Sequence, residues 1–355
     1  MNEKRIDRVL HVLKKMDVDA IIIRGMDNIF YLTGFRGSEG SLLVTRGDIV
    51  LLTDFRYLTY AAEVTKGITI VETKGKENHL AELCERYGIR RLGFDSYNTT
   101  YQAYQAWCET APNVEFVAIG TEIEAIRKQK EPEEILAIRR AIQLATDAFT
   151  HVLAKIAPGT TEKQIATELD YLMKSLGADG PSFETIVASG ARAALPHAKP
   201  TDKALKEGET VIIDFGCQAG GYTSDETCTI VLGEADQKLR DIFGVVDEAR
   251  KTGIKAVRAG LPVVDLDTLV RGVVEEHGYG EFFRHGTGHG VGIAVHEAPA
   301  ITFKAEALLE ENMVITIEPG IYIPELGGIR MEDMVLVTDN GGEVLTHLRK
   351  DLLQI

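Results

Sequence analysis

VIIDFGCQAGGYTSDET, residues 211–227, is the stretch whose reading decides the fold of the second half of the chain. Val211-Ile212-Ile213 reads as a buried strand, and Asp214 stands where the next core residue belongs. With Ala219-Gly220 as a two-residue loop, the stretch is a β-hairpin that sets Asp214 directly opposite Asp225, their Cβ atoms about 4.5–5.5 Å apart. Two carboxylates so close in a dry setting need a shared proton or a cation between them. Taken alone, the pair also fits a plainer reading, a solvated Asp225 near a turn and an isolated buried Asp214. Further ligands must come from elsewhere.

They come from three later stretches. FRHGTGHGVGIAVHEAP, residues 283–299, carries His285, His289 and His296, and histidine is the commonest metal ligand. Its glycines do not make a dinucleotide fingerprint, because the spacing is GxGxGxG and the sequel IAVHEAP reads as a strand. In NMVITIEPGIYI, residues 312–323, Glu318 ends an apolar strand, and Pro319 implies an edge or bulge beside it. In GGIRMEDMVLVT, residues 327–338, Glu332 repeats the pattern. These two runs suggest an antiparallel pair, with Arg330 on the face of Glu332 and Asp333 on the opposite one as a non-ligand acid. Four carboxylates and one imidazole balance two divalent cations and suit Mn²⁺, Co²⁺, Fe²⁺ or Zn²⁺. Two such ions about 3.5–4 Å apart form a hydrolytic device.

Composition bounds the rest. The 355 residues accommodate two domains, with 45% hydrophobic and 26% charged content. A net charge of −15 argues against nucleic acid and anionic membrane surfaces as partners. No apolar run approaches a membrane span. Cys84, Cys108, Cys217 and Cys228 show no paired spacing, and no signal peptide is evident, so reduced thiols in the cytoplasm are expected. Residues 1–122 alternate strands and helices, an α/β pattern that starts with an amphipathic helix bearing Ile6, Val9, Leu10 and Leu13. NIFYLTGF is expected as a strand there, and ENHLAELCERYGI as a helix. The charged segment 122–134 marks the junction to an α+β domain, residues 123–355, with a largely antiparallel sheet. Thr161 and Gln164 are spaced as a capping box, with Gly177 placed to end that helix.

Asp214, Asp225, His289, Glu318 and Glu332, in this order and spacing, resemble the dinuclear site of the pita-bread metallopeptidases. IFYLTGF and LLTDFRY are similar to the creatinase-like N-terminal domain of the proline-directed members. ALPHAKP, VIIDFG, GYTSDET, HGTGHGVG, HEAP, ITIEPGIY and GIRMED are similar to their catalytic domain. The resemblance implies that Asp214 chelates one metal, that His289 and Glu318 hold the other, and that Asp225 and Glu332 bridge both. Glu318 would accept a proton, His197 and His296 would contact substrate and stabilise the tetrahedral intermediate, and His285 would line the pocket. Arg330 would orient the site from behind. The implied cofactors are two divalent ions, Mn²⁺ first, with Co²⁺ or Zn²⁺ as alternatives. The implied reaction is hydrolysis of the Xaa-Pro bond at peptide N-termini by metal-activated hydroxide, in a homodimer.

Two positions depart from that pattern. Cys228 stands where arginine is common, and Ala300 stands where prolidases tend to carry an arginine for a dipeptide carboxylate. The expectation is therefore an Xaa-Pro aminopeptidase, with an Xaa-Pro dipeptidase as alternative. A metal-free creatinase, a methionine aminopeptidase and a non-enzymatic binding module fit the residues less well.

Overall fold

The computed structural model describes residues 3–73 and 79–355. The chain divides into two compact units, Met1–Arg127 and Lys128–Ile355.

The first unit is a six-stranded sheet with helices. Its strands are β1 (Ala20–Ile23), β2 (Ser41–Thr45), β3 (Ile49–Thr53), β4 (Thr69–Glu72), β5 (Arg91–Asp95) and β6 (Glu115–Ile119), in the order β4-β3-β2-β1-β5-β6. β1, β2 and β3 pair antiparallel, and the outer strands join in parallel. The N-terminal helix α1 (Glu3–Lys15) buries Ile6, Val9, Val12 and Leu13, so Val12 takes the place expected of Leu10. NIFYLTGF is not a strand: Met26–Thr33 forms the helix α2. Its β-favouring side chains are overridden by one buried face, with Ile29 and Leu32 at helical spacing. Gly34, at φ +78°, ends it by donating to the Phe30 carbonyl. The expected helix at ENHLAELCERYGI is observed as His79–Tyr87, and Glu77 and Asn78 lie outside the described residues.

The second unit opens with two long helices, α3 (Pro132–Leu153) and α4 (Glu162–Ser175). The capping box forms: Thr161 N–H donates to Gln164 Oε1 at 2.9 Å, and Gln164 N–H donates to Thr161 Oγ1 at 3.1 Å. Strands follow: β7 (Gly180–Pro181), β8 (Ile186–Ser189), β9 (Thr210–Phe215), β10 (Cys217–Ala219), β11 (Tyr222–Thr223) and β12 (Glu226–Val231). After the helices α5 (Gln237–Ala256) and α6 (Val263–Glu276) come β13 (Gly288–Gly290), β14 (Glu297–Ile301), β15 (Val314–Ile317), β16 (Gly320–Ile323), β17 (Gly327–Arg330), β18 (Asp333–Thr338), β19 (Gly341–Val344) and β20 (Leu353–Gln354). Two sheets carry the site, β20-β12-β9-β8 and β14-β13-β15-β18-β19. One apolar core packs α3 and α4 behind the first of them, and another packs α5 and α6 behind the second. IAVHEAP is only partly extended. Residues 292–296 bend, and the strand begins at Glu297.

Candidate metal centre

The hairpin of residues 211–227 forms two residues out of its expected register. Gln218 pairs Thr223 and Ala219 pairs Tyr222, so the turn is Gly220-Gly221. Both glycines have positive φ, +58° and +83°, which a two-residue turn of this hand requires. Asp214 is therefore opposite Thr227 and not Asp225. A slip of two preserves the face, because side chains alternate with period two, so both aspartates still point to the same side. Between them the ladder narrows at Gly216, where a Cβ would sit 1.9 Å from the Ser224 carbonyl oxygen.

The directly facing acids are another pair. β15 and β18 match Ile317 with Asp333, while β16 and β17 match Gly320 with Arg330, both antiparallel. Glu318 and Glu332 therefore stand opposite each other where one ladder gives way to the next. The break occurs at Pro319, whose carbonyl still accepts from Met331 N–H at 3.3 Å. His289 projects from β13 at a register shift between His289 and Gly290. Each of the five side chains thus sits in or beside a strand where its ladder breaks or bends.

Their donor and acceptor arrangement calls for a cation. His289 Nδ1 lies 3.0 Å from the Gly290 carbonyl oxygen, which can only accept, so Nδ1 carries the ring proton. Burial lowers the pKa of this imidazole and keeps it neutral. Nε2 then presents a lone pair to Asp225 Oδ2 and Glu318 Oε1, each 3.5 Å away. Ligand atoms of Asp225, His289 and Glu332 all lie within 4.8 Å of one another. Asp214 Oδ1 is buried with no hydrogen-bond partner among the described residues. Acceptors facing acceptors, and an orphaned carboxylate oxygen, fit divalent cations.

The electrostatics agree. Burial, then the charges of Glu332, Asp214 and Glu318, hold the Asp225 carboxyl well above its ordinary pKa. Burial, then Glu318 and Asp214, do the same to Glu332. Burial is also the main cause that pushes Glu318 up to about 7. The cation that faces this set is Arg330, 4% exposed. Its Nη2 donates to Asp214 Oδ2 at 2.5 Å, its Nη1 to Tyr322 OH and the Pro196 carbonyl at 3.0 Å, and its Nε to Thr227 Oγ1 at 3.1 Å.

All nine nominated residues, His197, Asp214, Asp225, His285, His289, His296, Glu318, Arg330 and Glu332, line one cavity of about 460 Å³. His197 is exposed on its rim, on a chain segment held by buried Glu162, which accepts from Ser189, Thr201 and Arg192. The rings of His289 and His296 meet with centroids 4.3 Å apart. His285 lies deeper, its Nδ1 2.8 Å from the Gly286 carbonyl and its Nε2 2.9 Å from Tyr322 OH. Burial, assisted by Arg330, pushes its pKa down to about 4, so it is a neutral wall of the pocket.

Residues 137–339 match metallopeptidase family M24, and residues 5–129 match the creatinase/prolidase N-terminal domain. The chain belongs to metallopeptidase family M24. It is 36% identical to an Xaa-Pro dipeptidase of Pyrococcus horikoshii over 99% of each chain. The structure of an Xaa-Pro dipeptidase from Bacillus anthracis superposes with a TM-score of 0.96 at 38% identity, covering 99% of each chain. That of an X-Pro aminopeptidase from Thermotoga maritima MSB8 gives 0.90 at 34%, covering 99% of this chain and 100% of that one. Membership of M24 implies divalent metal ions, which the acceptor-rich site accommodates. Among the described residues no helix is long and apolar enough to cross a membrane.

Three residues at this cavity carry no reading in the sequence. Thr227 Oγ1 donates to Glu332 Oε2 at 2.7 Å. Thr316 Oγ1 accepts from His289 N–H at 3.0 Å and lies 3.3 Å from Glu318 Oε1. Tyr322 joins Arg330 to His285. Alternation from Asp225, Glu318 and Glu318 again would have flagged all three. Cys228 alternates to the other side, into the apolar core behind β12, so the departure there touches nothing in the site. Ala300 is exposed on β14, opposite His289.

Proposed function

We propose that the chain is a metal-dependent exopeptidase that hydrolyses the Xaa-Pro bond at peptide N-termini, acting on peptides longer than two residues. The observation that carries this reading is the neutral His289 lone pair set among Asp225, Glu318 and Glu332, beside the orphaned Asp214 oxygen. On this reading Asp214 would hold one ion, His289 with Glu318 would hold the other, and Asp225 and Glu332 would contribute to both. Mn²⁺ is the proposed metal, with Co²⁺ or Zn²⁺ as alternatives, since oxygen-rich ligation with one imidazole suits each of them. When bound, the ions supply Lewis acidity and ready a water for attack at neutral pH.

The chain's own groups do the remainder. Arg330 and Thr227 fix Asp214 and Glu332 in place by the contacts described above. Glu318 would take up a proton and give it up at the same carboxylate. The Xaa-Pro bond is a tertiary amide without an N–H, so recognition cannot use one, and the proline nitrogen needs that proton as it leaves. His296, kept neutral by burial and by the neighbouring histidines, faces the substrate carbonyl together with His197. The enzyme is proposed to act as a homodimer in the cytoplasm, on peptides with proline second.

A preference for longer peptides is supported by Ala300, whose methyl offers nothing to a dipeptide carboxylate. The dipeptidase reading is favoured by the names of the Pyrococcus and Bacillus proteins. Assay of Xaa-Pro dipeptides against Xaa-Pro-Xaa tripeptides, with and without Mn²⁺, decides. Metal-dependent turnover of the tripeptide is expected to exceed that of the dipeptide. The reverse order makes the chain a dipeptidase, and turnover of neither removes the peptidase reading.

A further inference from the structure

Two strands that present acids to the cavity carry a second acid on the opposite face. Glu226 follows Asp225, and Asp333 follows Glu332, so alternation turns each away from the cavity. Both are 2% exposed. Behind the site they meet at one ammonium. Lys350 Nζ lies 2.6 Å from Glu226 Oε1 and 3.7 Å from Asp333 Oδ1, and its side chain is only 7% exposed. It also donates to the Thr227 carbonyl at 3.4 Å, the same oxygen that accepts from Glu332 N–H at 3.1 Å. Asp333 is held further by Arg250 and by Thr346 Oγ1 at 2.6 Å.

Lys350 belongs to the C-terminal tail. The tail docks through β20, which runs parallel to β12, and Ile355 N–H donates to the Val231 carbonyl at 3.0 Å. β12 and β18 lie in different sheets, so the spacing of Asp225 and Glu332 depends on how those sheets meet. We propose that Lys350 is a positioning residue for the metal centre: by tying Glu226 to Asp333, it sets the separation of the two acids that bridge the ions. This rests on the ligand assignment proposed above. A compact ammonium with three donors can reach carboxylates on two strands at once. Without it, Glu226 loses its partner, and its Oε2 already has no hydrogen-bond partner among the described residues. A buried carboxyl left so, charged or protonated, no longer ties β12 to Asp333, and it draws in water or moves so that the strands part.

The test is calorimetric titration of the full-length, metal-free chain with Mn²⁺ alone, together with circular dichroism. Lys350→Met is expected to keep the wild-type spectrum and to bind Mn²⁺ about 10–100-fold more weakly, the usual range for a group that orients ligands from behind. Should that variant fail to fold, E226Q/K350M removes one charge of each sign, and the same loss of affinity is expected of it. A merely structural lysine would lower the melting temperature and leave Mn²⁺ affinity per folded molecule within about threefold, which overturns the proposal. A wild-type chain that binds no Mn²⁺ overturns the ligand assignment, and this inference with it. Wild-type binding with an unaffected variant overturns the inference alone.

Discussion

Loading the metal-free protein should expel protons, and the site predicts how many. A carboxylate must be ionised to ligate, so a group protonated in the metal-free state gives up its proton on binding. Glu318, with a pKa of about 7, is roughly nine-tenths protonated at pH 6 and one-tenth at pH 8. Asp225 and Glu332, each held well above its ordinary pKa by burial and by neighbouring acids, add to this release whatever proton they hold. His289 adds none, because its pKa is lowered and its Nδ1 proton stays on the Gly290 carbonyl. From Glu318 alone about nine-tenths of a proton should leave at pH 6 and about one-tenth at pH 8, and any proton on Asp225 or Glu332 adds to both. The sign follows: raised pKa values mean that protons compete with the metal, so affinity falls as pH falls, about tenfold per unit for each proton displaced. Titration with MnCl₂ in two buffers of different ionisation enthalpy counts the protons directly. Release of fewer than about half a proton at pH 6 would refute the buried-carboxylate picture.

Other outcomes follow from single contacts. Thr227→Val removes the hydroxyl that donates to Glu332 and accepts from Arg330; turnover and Mn²⁺ affinity should fall about 10–100-fold, measured at metal concentrations spanning saturation. Gly216→Ala places a methyl 1.9 Å from the Ser224 oxygen and should cost about 1–3 kcal/mol in urea unfolding. Cys228→Ala, in the core away from the cavity, should keep kcat/KM within about twofold while lowering the urea midpoint, since its main loss is packing. The metal-free protein should lose stability as pH rises from about 4.5 through about 7, because Glu318 is raised above its unfolded value and its ionisation is disfavoured in the fold. Thermal melts with and without Mn²⁺ check this, and the loss should vanish with the metal bound.

How much of this the sequence disclosed depends on which physical signal each residue sends. Asp214, Glu318 and Glu332 announce themselves, because an ionisable group at the end of an apolar strand is costly unless something compensates it. The capping box at Thr161 and Gln164 is equally direct, since its two hydrogen bonds are local. Pro319 correctly marked an interruption. The hairpin register is ambiguous in the sequence because Ala219-Gly220 and Gly220-Gly221 both make plausible two-residue turns, and only the latter has φ above zero at both positions without strain on a side chain. That slip sets Asp214 opposite Thr227 while leaving both aspartates on one face; the directly facing acids, Glu318 and Glu332, belong to a different ladder. α2 was misread for a different reason: its Ile, Phe, Tyr, Leu and Thr favour strands locally, and packing of one face decides otherwise. Thr227 and Tyr322 stand out only by alternation from a ligand already recognised, and Lys350 carries no local signal at all. Its role arises from contacts between elements far apart in sequence.

The most direct trial of the account is an anomalous difference map from crystals grown with MnCl₂. It should show two peaks, one against Asp214 and one against His289 and Glu318, with Asp225 and Glu332 reaching both. A map with no peak in this cavity, or with manganese held by other side chains, would contradict it.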